Sequence, residues 1–302
     1  MNFQSGAVRP VDSIEEGWKI IKDDYWSFFS MTLVTIVILI VAAVILGLIN
    51  NAITFGVSTV LGVTASNSGD AAKISATILP QIIAMFISIF TNIIVGAISG
   101  AFLCGIYMAL SRKVSSGITE FGDLFAGFQK FQSCLIVASV LSLVQFVIGL
   151  VTLLGATALG VSAVGAGMLT KNGQLNPAVF GGLFLVILVF LGISIVVNLI
   201  VSALTTFAYP LIADRDVSGG QALLLSIRSG LANIGGLILL LILLGLMALG
   251  GALVCCIGIL FVAPVITAAL FAAYQSVFGR TGGSSQHTSP PPPPIFNNQP
   301  GF

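Results

Sequence analysis

In a chain of 302 residues, 57% are hydrophobic and only 7% charged, far below the roughly 25% charged content of soluble domains, so it belongs in a membrane. A net charge of +1 without a cluster of Lys and Arg excludes a nucleic-acid binder working by counterion release. The four cysteines lack CxxC or Cys/His spacing and read as small hydrophobes, so neither zinc nor redox chemistry is indicated.

The first predicted element lies in RPVDSIEEGWKIIKDDYWSFF, from Arg9 to Phe29. Val11, Ile14, Trp18, Ile21 and Tyr25 share one helical face, while Glu15, Glu16, Lys19, Lys22 and Asp23 fill the other. Such a helix lies in the membrane interface with its aromatics at headgroup level. Its mixed, rather acidic lead is unlike a signal peptide, so the span that follows is expected to stay in the mature protein.

Apolar runs then predict six spans, at about 28 to 49, 78 to 109, 134 to 157, 179 to 211, 234 to 253 and 255 to 278. Pro80 is expected to open the second, Tyr209-Pro210 to close the fourth, and Pro264 to kink the sixth.

The first element recurs. Val11, Ile118 and Val217 each precede an N-cap residue (Asp12, Thr119, Ser218), with Glu15, Gly122 or Gln221 three places on. Large apolar residues match at Trp18, Phe125 and Leu224, and again at Ile21, Phe128 and Ile227. The second copy carries Phe121, Leu124, Phe125, Phe128 and Phe131 on one face. Unit ends recur as well, with Tyr107 ahead of Arg112, Tyr209 ahead of Arg215 and Tyr274 ahead of Arg280.

The expected fold is therefore all-α. Six transmembrane helices form three tandem units (about 11–112, 118–215 and 217–280), each an interfacial amphipathic helix plus a two-span hairpin. Nine Lys and Arg then lie on the side of the lead helices, against only Lys73 and Lys171 opposite. That bias predicts that both termini and all three lead helices are cytoplasmic. Residues 281–302, with five consecutive prolines, read as a disordered cytoplasmic tail able to dock a proline-recognising partner.

Catalytic inventory is thin. The single histidine, His287, is in the tail, and the carboxylates, Asp214 among them, read as a solvated face rather than acid/base pairs. No catalytic, cofactor-binding or metal residue is assigned. Polar residues inside spans (Gln81, Asn92, Gln145, Asn198, Thr205, Thr206) serve as glue or line a path. Gly96, Gly100 and Gly105 mark close helix packing, with a homo-oligomer seam as the second reading.

In the third unit, YPLIADRDVSGGQALLLSIRSGLANIGGLILLLILLGL followed by CIGILFVAPVITAALFAAYQSVFG resembles a set of bacterial six-helix membrane proteins. They are related to the membrane domain fused to some glycerophosphodiester phosphodiesterases. The matching positions are Tyr209 to Leu211, Ile212, Asp214, Arg215, Ile257, Gly258 and Pro264. The resemblance implies a six-helical protein of the bacterial cytoplasmic membrane, and the catalytic domain of those enzymes has no counterpart here.

The expected function is non-enzymatic organisation of lipid or a partner protein at the cytoplasmic face. Trp18, Trp26, Phe125 and Phe128 are the interfacial anchors, and Lys22, Arg215 and Arg228 meet lipid phosphates or a partner's acids. The alternative is a transporter or channel for a small or amphipathic solute, with a path between the units lined by Asn92, Asn198 and Thr205.

Overall fold

The computed structural model describes residues 3–65, 70–165, 177–253 and 258–279. The stretch 166–176 with Lys171, Cys255, Cys256, Ile257, Arg280, His287 and the proline-rich tail lie outside the described residues. Among the described residues the regular structure is all helical: α1 (Pro10–Ile21), α2 (Tyr25–Ala65), α3 (Asp70–Ser116), α4 (Asp123–Ala126), α5 (Phe131–Gly165), α6 (Pro177–Thr205), α7 (Ala208–Arg215), α8 (Gly219–Ala232), α9 (Ile234–Leu253) and α10 (Gly258–Phe278). Short 3-10 turns at Lys22–Asp24 and Gly127–Lys130 join α1 to α2 and α4 to α5. Among the described residues six helices are long and apolar enough to cross a membrane, as in a multi-pass membrane protein.

Several element ends depart from expectation. Helix α1 starts at Pro10 behind Arg9 rather than behind Asp12, since proline at the first helical position loses no hydrogen bond. The second lead segment starts at Asp123 behind Gly122, not behind Thr119, and tightens into a 3-10 turn after only four residues. Only α8 begins where expected, behind Ser218. Pro80 lies inside α3 instead of opening it, because that helix continues back to Asp70. The fourth span breaks at Thr205, and Pro210 falls in the first turn of α7. A proline ring clashes with the carbonyl four residues back, here Thr206, so the helix stops short and restarts.

Neighbouring helices close a ring: α2 packs on α3, α3 on α5, α5 on α6, α6 on α9, α9 on α10, and α10 back on α2. The lead helices pack on spans that precede them in this ring, α4 on α3, α8 on α6, and α1 on α10. At the end carrying most charged residues the bundle is dense. Phe28, Tyr107, Leu110, Phe207, Leu211, Phe271 and Tyr274 are all buried there. Away from that end most large side chains of α2 and α6 are exposed, as lipid-facing spans require.

Glycines set the closest approaches. A Cβ at Gly105 of α3 would lie 2.1 Å from the Leu124 carbonyl oxygen, and one at Gly127 would lie 2.0 Å from that of Ala101. A Cβ at Gly17 of α1 would lie 2.5 Å from the Ala269 amide nitrogen on α10. Gly96 faces Ala138 and Gly100 faces the Tyr209 ring, so these three glycines of α3 serve packing within the chain.

Candidate functional site

Helix α1 turns Ser13, Gly17 and Ile21 inward, a narrow stripe at spacings of four that lets it lie flat on α10. The apolar face read from sequence is thus split: Ile21 packs inside, whereas Val11 and Trp18 point outward. The second lead segment behaves alike, burying Asp123, Leu124 and Gly127 while Phe121, Phe125 and Phe128 stay out. The four expected anchors are all exposed, Trp18 by 46%, Trp26 by 70%, Phe125 by 49% and Phe128 by 38%.

They form two separate aromatic groups. Tyr25 lies 5.8 Å from both Trp18 and Trp26, and Phe29 connects Trp26 to Phe261 of α10. On the α3 side Phe102 contacts Phe125 at 6.1 Å and Phe128 at 4.9 Å. The hydroxyl of Tyr25 donates to the Phe261 carbonyl at 2.8 Å, holding the α2 end against the turn of α10 that Pro264 interrupts.

The three expected cationic contacts divide. Lys22 and Arg228 are exposed. Arg215 is turned inward, donating to the Phe278 carbonyl and lying 5.6 Å over its ring. Its neighbour Asp214, read from sequence as part of a solvated face, has a side chain only 2% exposed. Ser111 at the end of α3 donates to Oδ1 of Asp214 at 2.8 Å, and Tyr274 of α10 donates to Oδ2 at 2.8 Å. Arg215 Nε stands 3.9 Å from Oδ2. One carboxylate therefore joins three helices that are far apart in sequence. Its sequence traces are its place shortly after the Tyr209-Pro210 break and among the positions that carry the resemblance.

Ion pairs lace the same end. Arg112 reaches Asp123 at 2.6 Å and Glu120 at 3.2 Å, Lys130 pairs with Asp216, and Lys113 pairs with Asp24. The Lys113 ammonium holds the Asp24 carboxyl below the usual carboxylate range. A carboxyl depressed on folding adds stability above its unfolded pKa of about 3.9, and that contribution is lost as pH falls through the lower folded value. Solvent screens the pair, so the effect is small. Proteolytic cutting of the 117–122 connection, which Thr119 ties to Asp24 at 3.4 Å, should stay flat from pH 7 to about 4 and rise only below it.

The amino-terminal segment ties the α8–α9 junction to the end of α10. Asn233 accepts from the Ala7 amide at 2.9 Å and donates to the Gln4 carbonyl at 3.0 Å, while the Gln4 amide donates to the Val277 carbonyl. Cys104 and Cys134, expected only as small hydrophobes, meet across α3 and α5 with sulfurs 3.4 Å apart.

Of the three expected path residues, Asn92 lines a cavity of about 650 Å³ between α3 and α5. Asn198 stands one hydrogen bond behind it, accepting from Gln145 at 2.7 Å. Thr205 is spent locally on the Val201 carbonyl. Tyr209 stands at the edge of the same cavity. Set against known proteins, the chain matches no family model, no curated protein and no solved structure.

Proposed function

We propose that the chain is a non-enzymatic membrane protein that organises lipid, or a partner protein, through a collar of lead helices at its charged end. The observation that carries this reading is the exposure of Trp18, Trp26, Phe125 and Phe128 together with that of the cations Lys22 and Arg228. Aromatic rings favour the headgroup layer, and a cation near an anionic leaflet contributes about 1 kcal/mol. Arg215 has no part in this role, since its side chain serves the interior.

The collar is best read as three units. Each lead helix packs on the second span of the preceding unit, with the first unit following the third, a pattern that the sequence repeats at Val11, Ile118 and Val217 accommodate. The charge bias supports a cytoplasmic collar with both termini inside. The resemblance of the third unit supports a bacterial cytoplasmic membrane. A partner protein bound by the proline-rich tail, or a second copy of the chain, fits the same organising role.

The rival reading, a transporter or channel, is favoured by the cavity that Asn92 lines. Against it stand Tyr107, Phe207, Phe271 and Tyr274, buried in a chain of ring contacts at the charged end.

Trp18 and Trp26 are the chain's two tryptophans, so their fluorescence tests the collar directly. In nanodiscs of brominated lipids, bromine near the glycerol end of the acyl chain should quench more than bromine at mid-chain. Brominated phosphatidylglycerol should quench more than brominated phosphatidylcholine at equal content. The Lys22→Ala/Arg228→Ala variant should abolish that headgroup preference while keeping the depth profile. Equal quenching at both depths would defeat the interfacial placement, and a missing headgroup preference would leave the collar to a partner protein.

A further inference from the structure

We propose that the cavity between α3 and α5 is a binding site for an uncharged, hydroxyl-bearing lipid of the diacylglycerol kind. The site is separate from the collar; its depth is argued from the collar's interfacial placement, whereas its test reads lipid labelling and can fail independently of that placement.

Depth comes first. Gln145 lies about 21 Å along α5 from Phe131, and Asn92 about 15 Å along α3 from Phe102, the two rings that belong to the collar's aromatic group. Both amides are exposed within the chain and both line the cavity. At that level lipid tails offer no hydrogen bonds, and each unsatisfied polar group costs several kcal/mol.

The hydrogen-bond chain shows which atoms still need a partner. The Ser194 carbonyl can only accept, so Asn198 presents its amide nitrogen there at 2.8 Å and its oxygen to Gln145. Gln145 therefore donates through Nε2, and its amide oxygen keeps its acceptor capacity. Asn92 donates to the Ser88 carbonyl at 2.7 Å, which likewise leaves its oxygen as an acceptor. Ser142 and Tyr209 line the same space with hydroxyls that make no hydrogen bond within the described residues. Two acceptors and two hydroxyls thus surround one cavity.

Apart from Ser88, whose hydroxyl is spent on the Met85 carbonyl at 2.8 Å, the rest of the lining is apolar, with Met85, Ile89, Leu141, Phe146 and Leu150. At about 30 Å³ per water, the space would need roughly twenty waters to fill it, and these walls offer them nothing to bond. A ligand with a short polar head and hydrocarbon behind it satisfies both surfaces. Its head must be neutral, because 74–111 and 131–170 hold no charged residue to meet a phosphate or an ammonium. A free hydroxyl suits the amide oxygens, and ester carbonyls suit Ser142 and Tyr209.

The test uses the full chain in nanodiscs containing a photoactivatable diacylglycerol, with photoactivatable phosphatidylglycerol as the charged comparison, and maps labelled peptides by mass spectrometry. The diacylglycerol probe should concentrate its label on the α3 and α5 segments that line the cavity, and phosphatidylglycerol should not. The Asn92→Leu/Gln145→Leu variant should lower that label at least five-fold. Ser142→Phe, which fills the cavity and leaves the Gln145–Asn198 bond in place, should do the same. Equal labelling by both probes, a label spread over the lipid faces of α2 and α6, or a label unchanged in either variant would overturn the proposal.

Discussion

Replacing Asp214 by alanine will destabilise the charged end of the bundle by about 3–5 kcal/mol, the cost typical of removing one partner from a buried charged pair. The loss is large because it is compounded. Arg215, only 18% exposed, keeps its charge without the neighbouring carboxylate. Ser111 and Tyr274 lose their common acceptor, and each hydroxyl then sits in the packed interior of a different helix. Tyr274→Phe removes one of these bonds and leaves the carboxylate held by Ser111, so it should cost about 1–3 kcal/mol. Thermal unfolding in nanodiscs checks the order: Asp214→Ala below Tyr274→Phe below the parent chain. If Asp214→Ala unfolds with the parent, Asp214 is not the joint that geometry makes it.

Gly105→Ala will detach the second lead segment from α3. Its Cβ would fall 2.1 Å from the Leu124 carbonyl oxygen and 2.9 Å from that of Asp123, both backbone atoms that no rotamer change can move. Overpacking commonly costs about 1–3 kcal/mol, and backbone against backbone belongs at the top of that range. The contact is reciprocal, since Gly127 meets the Ala101 carbonyl in the same way, so Gly127→Ala should reproduce the defect. Gly245→Ala is the control, because nothing lies within 4 Å of a Cβ there and alanine is the better helix former. Protease sensitivity of the 117–131 segment should rise in the first two variants and stay at the parent level in the third. Equal sensitivity in all three would mean that the segment is not clamped by these glycines.

Hydropathy determined much by itself. Runs without charge are long enough to cross a bilayer, and only a helix satisfies its own backbone in lipid, so six helices follow directly from the residues. The exposed aromatics were legible too, because a Trp or Phe beside a charged run has few other comfortable places. Tertiary structure decided which side of each lead helix faces the protein. Sequence periodicity separates apolar from polar, but Ser13 and Gly17 were invisible to it. Small residues are chosen there for closeness of approach to α10, not for hydrophobicity. Asp214 was misread for the related reason that burial is set by what folds over a residue. Its partners Ser111 and Tyr274 lie 103 and 60 positions away. The pairing of Gln145 with Asn198, which aims the spare amide oxygen, likewise arises only when α5 and α6 lie side by side. One-dimensional pattern sets what each helix can tolerate around it, and the closing of the ring sets which neighbour it receives.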